Sequence, residues 1–374
     1  MEIRIQEVKT KQDLRNFIHL PAKIHQGHKN WVPPIYMDDW DFFNPKKNKS
    51  FAHCDHIMLL AYKGTELVGR CMGLVHRKYN NEHNEKCGRF SFIETWDDHE
   101  VFHALINYVA TWAKEKGMEK LIGPMTFSDK DPQGYMIEGF NEPVAMASYC
   151  NYPYIIDLLE KEGMVKLTDL VCYKIEIPDT FPPIYEKVAE RFRTNQKNIR
   201  IVEFNSKFTL RPYIKPVLSL INKTFTNIYG FTPFSEKEMS DFANRYIIFL
   251  DPRLVKVAVN EHNEVIGTIV AMPDISKGIQ KSKGYILPFG IFTILRAGRK
   301  TNQLNLLLGA VDPRYQGRGI EIIMGIKEME SARKTGKTVM DSHLELETNT
   351  KVRAEMERMG GVVYKKYRIF QKEL

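Results

Sequence analysis

The chain has 374 residues, 43% of them apolar and 27% charged, with a formal net charge of +8. This composition excludes wholesale disorder, and the length allows two domains, each with its own core. The cationic surplus favours anionic partners, but lysine and arginine are spread along the chain rather than gathered in one motif, so no specific nucleic-acid site is expected.

Ile3 and Ile5 predict an opening strand, and residues 11–20 a helix. Trp31-Val32-Pro33-Pro34 and the Asp/Trp/Phe-rich run to Asn44-Pro45 read as a long ordered loop. Strands follow at 57–62 and 67–75, split by Lys63-Gly64, and again at 90–93. Phe102, Leu105, Ile106, Val109 and Trp112 fall on one side of a helix over 99–116. Leu121-Ile122 is a strand stopped by Gly123-Pro124, residues 153–162 a helix stopped by Gly163, and 169–177 a strand. The run Gly123-Pro124-Met125-Thr126-Phe127-Ser128-Asp129, continuing to Gly134 and Gly139-Phe140, has two readings. Ser128, Asp129 and Tyr135 line an acceptor cleft, or the loop ties two sheets together.

The same order of elements returns in the second half, with a strand at 199–203, helices at 210–225 and 235–247, and strands at 254–259 and 265–272. Glu160-Lys161-Glu162-Gly163-Met164 is echoed by Glu357-Arg358-Met359-Gly360-Gly361. Two copies of one fold are therefore predicted, 1–178 and 199–374, joined by a linker over 179–198 that contains a helix. Residues 285–295 are apolar, with Lys277, Lys281 and Lys283 before them and Arg296, Arg299 and Lys300 after. The stretch falls short of the roughly 20 residues that span a bilayer. It reads as a helix packed on the core, a lid over a hydrophobic substrate, or a peripheral contact of 285–300 with an anionic membrane surface.

Residues 304–311 form an apolar run of the kind a buried strand needs, and Asp312-Pro313 ends it. Gln316-Gly317-Arg318-Gly319 follows, and Ile322, Ile323, Ile326 and Met329 then recur at helical spacing. A strand, a glycine turn and a helix leave unpaired N–H groups at a helix N-terminus, which suits a phosphate. GxxxxGK[ST] is absent, and GxGxxG is not matched because Glu321 and Ile322 follow the glycines. At the matching place the first copy has Glu94-Thr95-Trp96-Asp97-Asp98-His99, a poor phosphate site. Residues 338–346 read as one strand, with Met340, Leu344 and Leu346 on one face and Asp341, His343, Glu345 and Glu347 on the other. Asn349 opens a helix over 351–359, Gly360-Gly361 ends it, and 362–370 is the closing strand.

Val311-Asp312-Pro313 with Gln316-x-x-Gly319, followed by Asn349 and Glu357-Arg358-Met359-Gly360, resembles the two signatures of the GNAT superfamily of acyl-CoA-dependent N-acyltransferases. The resemblance implies an α/β (α+β) chain of two tandem GNAT-like domains, each a mixed, mostly antiparallel sheet flanked by helices. The Gly-Pro-x-x-Phe-Ser loop is similar to runs in a bacterial tandem type of this superfamily, and it brings no reaction with it. Acetyl-CoA or another acyl-CoA is implied as substrate, with a small-molecule or peptide amine as acceptor. The diphosphate would be held by the backbone of Gln316, Gly317, Arg318, Gly319 and Ile320. The thioester oxygen would be held by an N–H near Ala310 or Val311. Asn349 would bind the same molecule or cap its helix.

Glu345 and Glu347, with His343, are the candidate bases for the amine, provided burial raises a carboxylate pKa. Two positions depart from the family: Glu321 replaces a small residue beside the phosphate loop, and Met356 replaces a tyrosine that protonates the departing thiolate. They favour a second reading, a non-catalytic tandem GNAT fold that binds a ligand or partner. A tandem-fold aminoacyl transferase using charged tRNA is a third. Five cysteines without a CxxC, and an opening MEIRIQEVKT unlike a signal peptide, predict a reduced, cytoplasmic protein. His53-Cys54-Asp55-His56 is a dense cluster without a partner motif, so no metal is expected.

Overall fold

A computed structural model describes residues 2–146, 148–196, 198–226 and 228–374, the side chains of 245 and 246 excepted. The first half runs β1 (Ile3–Glu7), α1 (Lys11–Ile24), α2 (Tyr36–Phe42), β2 (Cys54–Lys63), β3 (Glu66–His76), α3 (Arg77–His83) and β4 (Cys87–Thr95). It continues with α4 (His99–Glu115), β5 (Lys120–Gly123), β6 (Tyr135–Glu138), α5 (Tyr154–Lys161) and β7 (Val165–Glu176). Helix α6 (Pro183–Asn195) leads to β8 (Arg200–Glu203), α7 (Lys207–Leu210), α8 (Ile214–Thr224), α9 (Glu236–Tyr246), β9 (Val255–Val259) and β10 (Val265–Pro273). Then come α10 (Ser276–Lys281), α11 (Gly290–Lys300), β11 (Gln303–Val311), α12 (Ile320–Lys334), β12 (Val339–Asp341), β13 (Glu345–Leu346), α13 (Thr350–Arg358) and β14 (Val362–Glu373).

The strands join in one mixed sheet, ordered β1-β2-β3-β4-β5-β14-β7-β12-β11-β10-β9-β8, with β6 beside β14 and β13 beside β7. Its pairs are antiparallel apart from β4 with β5 and β11 with β12. Each half gives its last strand to the other. β7 lies against β12 and β13, whereas β14 lies against β5 and β6. β7 and β14 also pair with each other from Val165 and Gln371 to Lys174 and Val362, which forms the central seam. An exchanged strand closes an edge that would otherwise expose unpaired N–H and C=O groups. Apolar clusters fill both faces, with Phe102, Leu105 and Val109 of α4 under the first half and Leu304, Met329 and Met340 under the second.

Two expectations need correction, and one alternative is decided for two of its residues. The loop over 31–45 contains α2, whose Tyr36 N–H donates to the Gly284 carbonyl at 3.1 Å. This contact comes from the far half of the chain, so no local signal announces it. Residues 338–346 are not one strand. β12 and β13 are separated by Ser342-His343-Leu344, with His343 in the left-handed region at φ 61°. The cause is Asp341, which is buried rather than on a solvated face. Its Oδ2 pairs with Lys365 Nζ at 3.0 Å, and its Oδ1 accepts the His343 N–H at 2.6 Å, which fixes the bend. Of the two readings of the Gly-Pro loop, Ser128 and Tyr135 follow the second. Ser128 Oγ accepts from Lys130 N–H at 3.2 Å, and Tyr135 O–H donates to the Ile93 carbonyl at 2.7 Å, so both hold the loop.

Candidate functional site

β11 and β12 pair only from Gln303 with Val339 to Asn305 with Asp341. Beyond Asn305, β11 keeps its other neighbour, β10, but has no strand on the β12 side. A bulge at Leu307 shifts the register here, since Val270 faces Leu308 while Ala271 faces Leu306. Bulges of this kind re-aim backbone groups beside functional sites. The gap opens into a cavity of about 1510 Å³ whose walls include Leu306 to Val311, the inner face of α12 and the segment Ser342 to Leu346. Ordinary small-ligand pockets hold roughly 300–1,000 Å³. Phe225, Ile228, Phe231, Phe234 and Phe242 make one end apolar. The cavity has room for a long hydrocarbon chain as well as a headgroup.

Two glycines on the wall have open space where a side chain would stand: Gly309 on β11 and Gly325 in the middle of α12. A glycine inside a helix costs about 1 kcal/mol relative to alanine, so its bareness here keeps the cavity wide. Gly325→Leu is expected to raise the melting temperature of the free protein slightly. The acyl-CoA that the sequence resemblance implies as ligand would then bind at least about tenfold more weakly, or by about 1.4 kcal/mol; thermal-shift curves with and without it measure both.

At the end of β11, Gln316 Nε2 donates to the Val311 carbonyl at 3.1 Å. Gly317 and Gly319 have φ of 72° and 83°, and a Cβ on Gly319 would meet Val188 Cγ1 at 2.8 Å. Both glycines are thus required by the bend. Gly319 caps α12 without a side-chain acceptor, so the first amides of a 15-residue helix have no capping side chain. Arg318 lies over the Tyr315 ring at 4.9 Å, beside the exposed bend, while Ile320 is buried. The geometry fits a diphosphate. Glu321 Oε2 is buried on the cavity wall without a hydrogen-bond partner, whereas Gly317 and Arg318 are exposed. Its carboxylate is therefore turned inward.

Of the three base candidates, Glu345 and His343 line the cavity. Burial pushes the Glu345 carboxyl up to about 7. No hydrogen bond or ion pair engages it among the described residues. His343 is held neutral, its pKa lowered first by burial, and it is bonded to the Met146 backbone. Glu347 is occupied: Lys166 Nζ donates to Oε2 at 2.7 Å and the Asp169 N–H to Oε1 at 3.0 Å. Asn349 lines the cavity, and its side chain makes no capping bond to α13. Ala310 and Val311 face Thr268 and Gly267 of β10, with their other edge toward the gap. Met356 is buried on the wall, and the phenol that shares this region is Tyr185 of α6, 3.4 Å from Glu355 Oε2.

Two further carboxylates stand on the wall: Asp129, named above as one candidate for an acceptor cleft, and Glu328, which sequence reasoning missed. Asp129, from the Gly-Pro loop of the first half, reaches the cavity with Oδ1 buried and unpartnered, and burial raises its pKa to about 6. Glu328 of α12 is raised to about 7 by burial, although Lys256 Nζ stands 3.7 Å away. A glutamate at helical spacing among isoleucines carries a weak signal for Glu328. The first-half copy of the phosphate loop has Glu94 engaged with Arg70 at 2.9 Å instead. Among the described residues no group of three His, Cys, Asp or Glu side chains is placed to hold a metal ion.

No family model matches the sequence. The chain is 26% identical over 382 residues to a Caulobacter vibrioides (strain NA1000 / CB15N) protein named bacterial ceramide synthase, which covers 100% of this chain and 98% of that one. It is 26% identical over 376 residues to protein YghO of Escherichia coli (strain K12), covering 97% and 94%. Among solved structures, a tandem GNAT protein from the clavulanic acid biosynthesis pathway superposes with a TM-score of 0.57 at 11% identity, over 100% of this chain and 98% of that one. A GCN5-related N-acetyltransferase from Sphaerobacter thermophilus gives 0.51 at 12% identity, over 99% and 95%. The chain has the tandem GNAT fold.

Proposed function

We propose that the chain is an acyl-CoA-dependent N-acyltransferase that joins a long fatty acyl group to the primary amine of a long-chain amino alcohol. The carrying observation is an unpaired carboxylate, Glu345, raised to about 7 on the wall of an apolar cavity of about 1510 Å³ beside the open edge of β11. The name of the Caulobacter relative supports the lipid substrate, and so does a cavity larger than acetyl transfer to a small amine requires. The first half (1–178) and the linker (179–198) contribute walls, and the second half (199–374) carries the chemistry. A cytoplasmic location belongs to this reading, supported by five free cysteines.

In the proposed reaction Glu345 takes a proton from the ammonium or attacking amine, whose lone pair forms the new C–N bond. Backbone N–H groups near Ala310 and Val311 stabilise the oxyanion. The C–S bond then breaks and the thiolate leaves as CoA, protonated by solvent or a nearby acid. The amide and free CoA balance the amine and thioester. Gln316 to Ile320 hold the diphosphate, and Gly309 and Gly325 leave the connecting arm its room. Met356 supplies no proton, and that favours a second reading, a binding protein without turnover.

Incubation of the purified chain with acyl-CoAs of increasing length, with and without a sphinganine-class amine, separates the two. Amine-dependent thiol release that grows with acyl length is expected. Calorimetric binding without release supports the second reading, and neither binding nor release at millimolar ligand overturns both.

A further inference from the structure

The segment from Tyr285 through α11 has two unlike faces. Its inner face, Ile286, Ile291, Ile294 and Leu295, packs with Met272 and Ile279 in one apolar cluster. Its outer face leaves Tyr285 53%, Leu287 71%, Phe289 75% and Phe292 68% exposed. Four of the twelve most exposed large apolar side chains of the described residues thus fall within eight positions, a patch rather than a scatter.

Charge surrounds this patch with one sign. Lys277, Lys281, Lys283, Arg296, Arg299 and Lys300 are all exposed, and residues 275–300 contain no Asp or Glu. None of the six enters an ion pair among the described residues. Arg15 and Lys23 of α1 add cations beside Tyr285. Apolar tips inside a basic ring complement a surface that is anionic outside and hydrocarbon beneath. Among the described residues no helix is long and apolar enough to cross a membrane. α11, 11 residues long, has the length and facing to lie in an interface instead. The cluster under the patch includes Met146, Leu250 and Leu307, which also line the cavity. One layer of side chains therefore separates the exposed face from the proposed lipid site.

We propose that Leu287, Phe289 and Phe292, with the basic residues around them, dock the protein on the surface of an anionic phospholipid bilayer. The docking goes beyond the acyl transfer proposed above and does not require it, since the patch stands without Glu345. The full chain is sedimented with vesicles of equimolar phosphatidylglycerol and phosphatidylcholine, and with phosphatidylcholine alone. Binding to the anionic vesicles is expected to be at least about tenfold tighter, and to weaken with salt. Leu287→Ser/Phe289→Ser/Phe292→Ser is expected to lose at least about tenfold in vesicle affinity with an unchanged melting temperature, because these side chains are solvent-exposed. Lys277→Glu/Arg296→Glu/Lys300→Glu should lose the preference for anionic vesicles. Phe208→Ser, on an exposed side chain of another element, should change nothing. Equal sedimentation of the triple serine variant and the parent, equal binding to the two lipids, or no binding at all overturns the proposal. Transferase activity on detergent-dispersed amine is unaffected in the serine variant if only docking is lost, so failure of docking and failure of the catalytic reading show separately.

Discussion

Glu345→Gln is expected to lower kcat by about 10²–10⁴-fold, the usual loss when a positioned base is removed. In the parent protein, kcat/KM should rise with pH through about 7, where burial places the Glu345 carboxyl, and level off above it. That acidic limb should vanish in the variant. Folding works in the opposite direction. A carboxyl whose pKa is higher folded than unfolded is fully tolerated below the ordinary carboxylate range, and its charge disfavours the native state as pH rises through about 7. Glutamine removes that penalty, so at pH 8 the variant should melt at the same temperature or higher. An inactive variant that is also less stable would have lost structure, not a base. Glu347→Gln is the control. Glu347 is bound by Lys166 and the Asp169 N–H, so its loss should cost stability and leave the acidic limb in place. An acidic limb that survives Glu345→Gln sinks the assignment.

Much of the second half was legible because its signals are local. The apolar run of β11, the proline that ends it and the two left-handed glycines before α12 announce themselves in sequence, since each answers a backbone constraint. Glu345 was legible as one of three base candidates but not as the unpaired carboxylate on the cavity wall. What separates it from Glu347 is Lys166, on a strand almost two hundred positions earlier, which no period or motif reports. The exchange of β7 and β14 was hidden for the same reason: a closing strand looks alike in sequence whether it joins its own sheet or its neighbour's. The break at His343 was invisible because alternation predicts a solvated polar face, and Asp341 instead finds a buried cation on the exchanged strand. The amphipathic segment at 285–300 was read with three outcomes, and its faces divide packing on the core from exposure.

Asp341→Asn is expected to be the most destabilising of the substitutions considered, by about 3–5 kcal/mol, because it leaves the Lys365 ammonium buried without its counter-charge. Both side chains are 1% exposed and stand 3.0 Å apart, one on β12 and the other on β14. Tyr364 O–H donates to the same carboxylate, so a single oxygen gathers two donors from the exchanged strand. A loss of that size is a large part of the roughly 5–15 kcal/mol that holds a domain together. The sign with pH follows from the direction of the shift. The Lys365 charge beside Asp341, with the Tyr364 and Lys365 bonds, outweighs burial and holds its carboxyl below the usual range. Its contribution is therefore complete above the ordinary carboxylate pKa and fades as pH falls through the lowered folded value. Urea melts of the parent should lose stability on acidification more steeply than those of Asp341→Asn. Asp341→Leu with Lys365→Met should be less destabilised than Asp341→Asn alone, since an apolar pair leaves no buried charge. The double variant also tests position against stability. Asp341 Oδ1 accepts the His343 N–H that bends the chain into Glu345. The double variant should therefore melt above Asp341→Asn and still show a lowered kcat when fully folded, with KM for acyl-CoA little changed. Full activity in that variant would mean that the bend at His343 holds without Asp341.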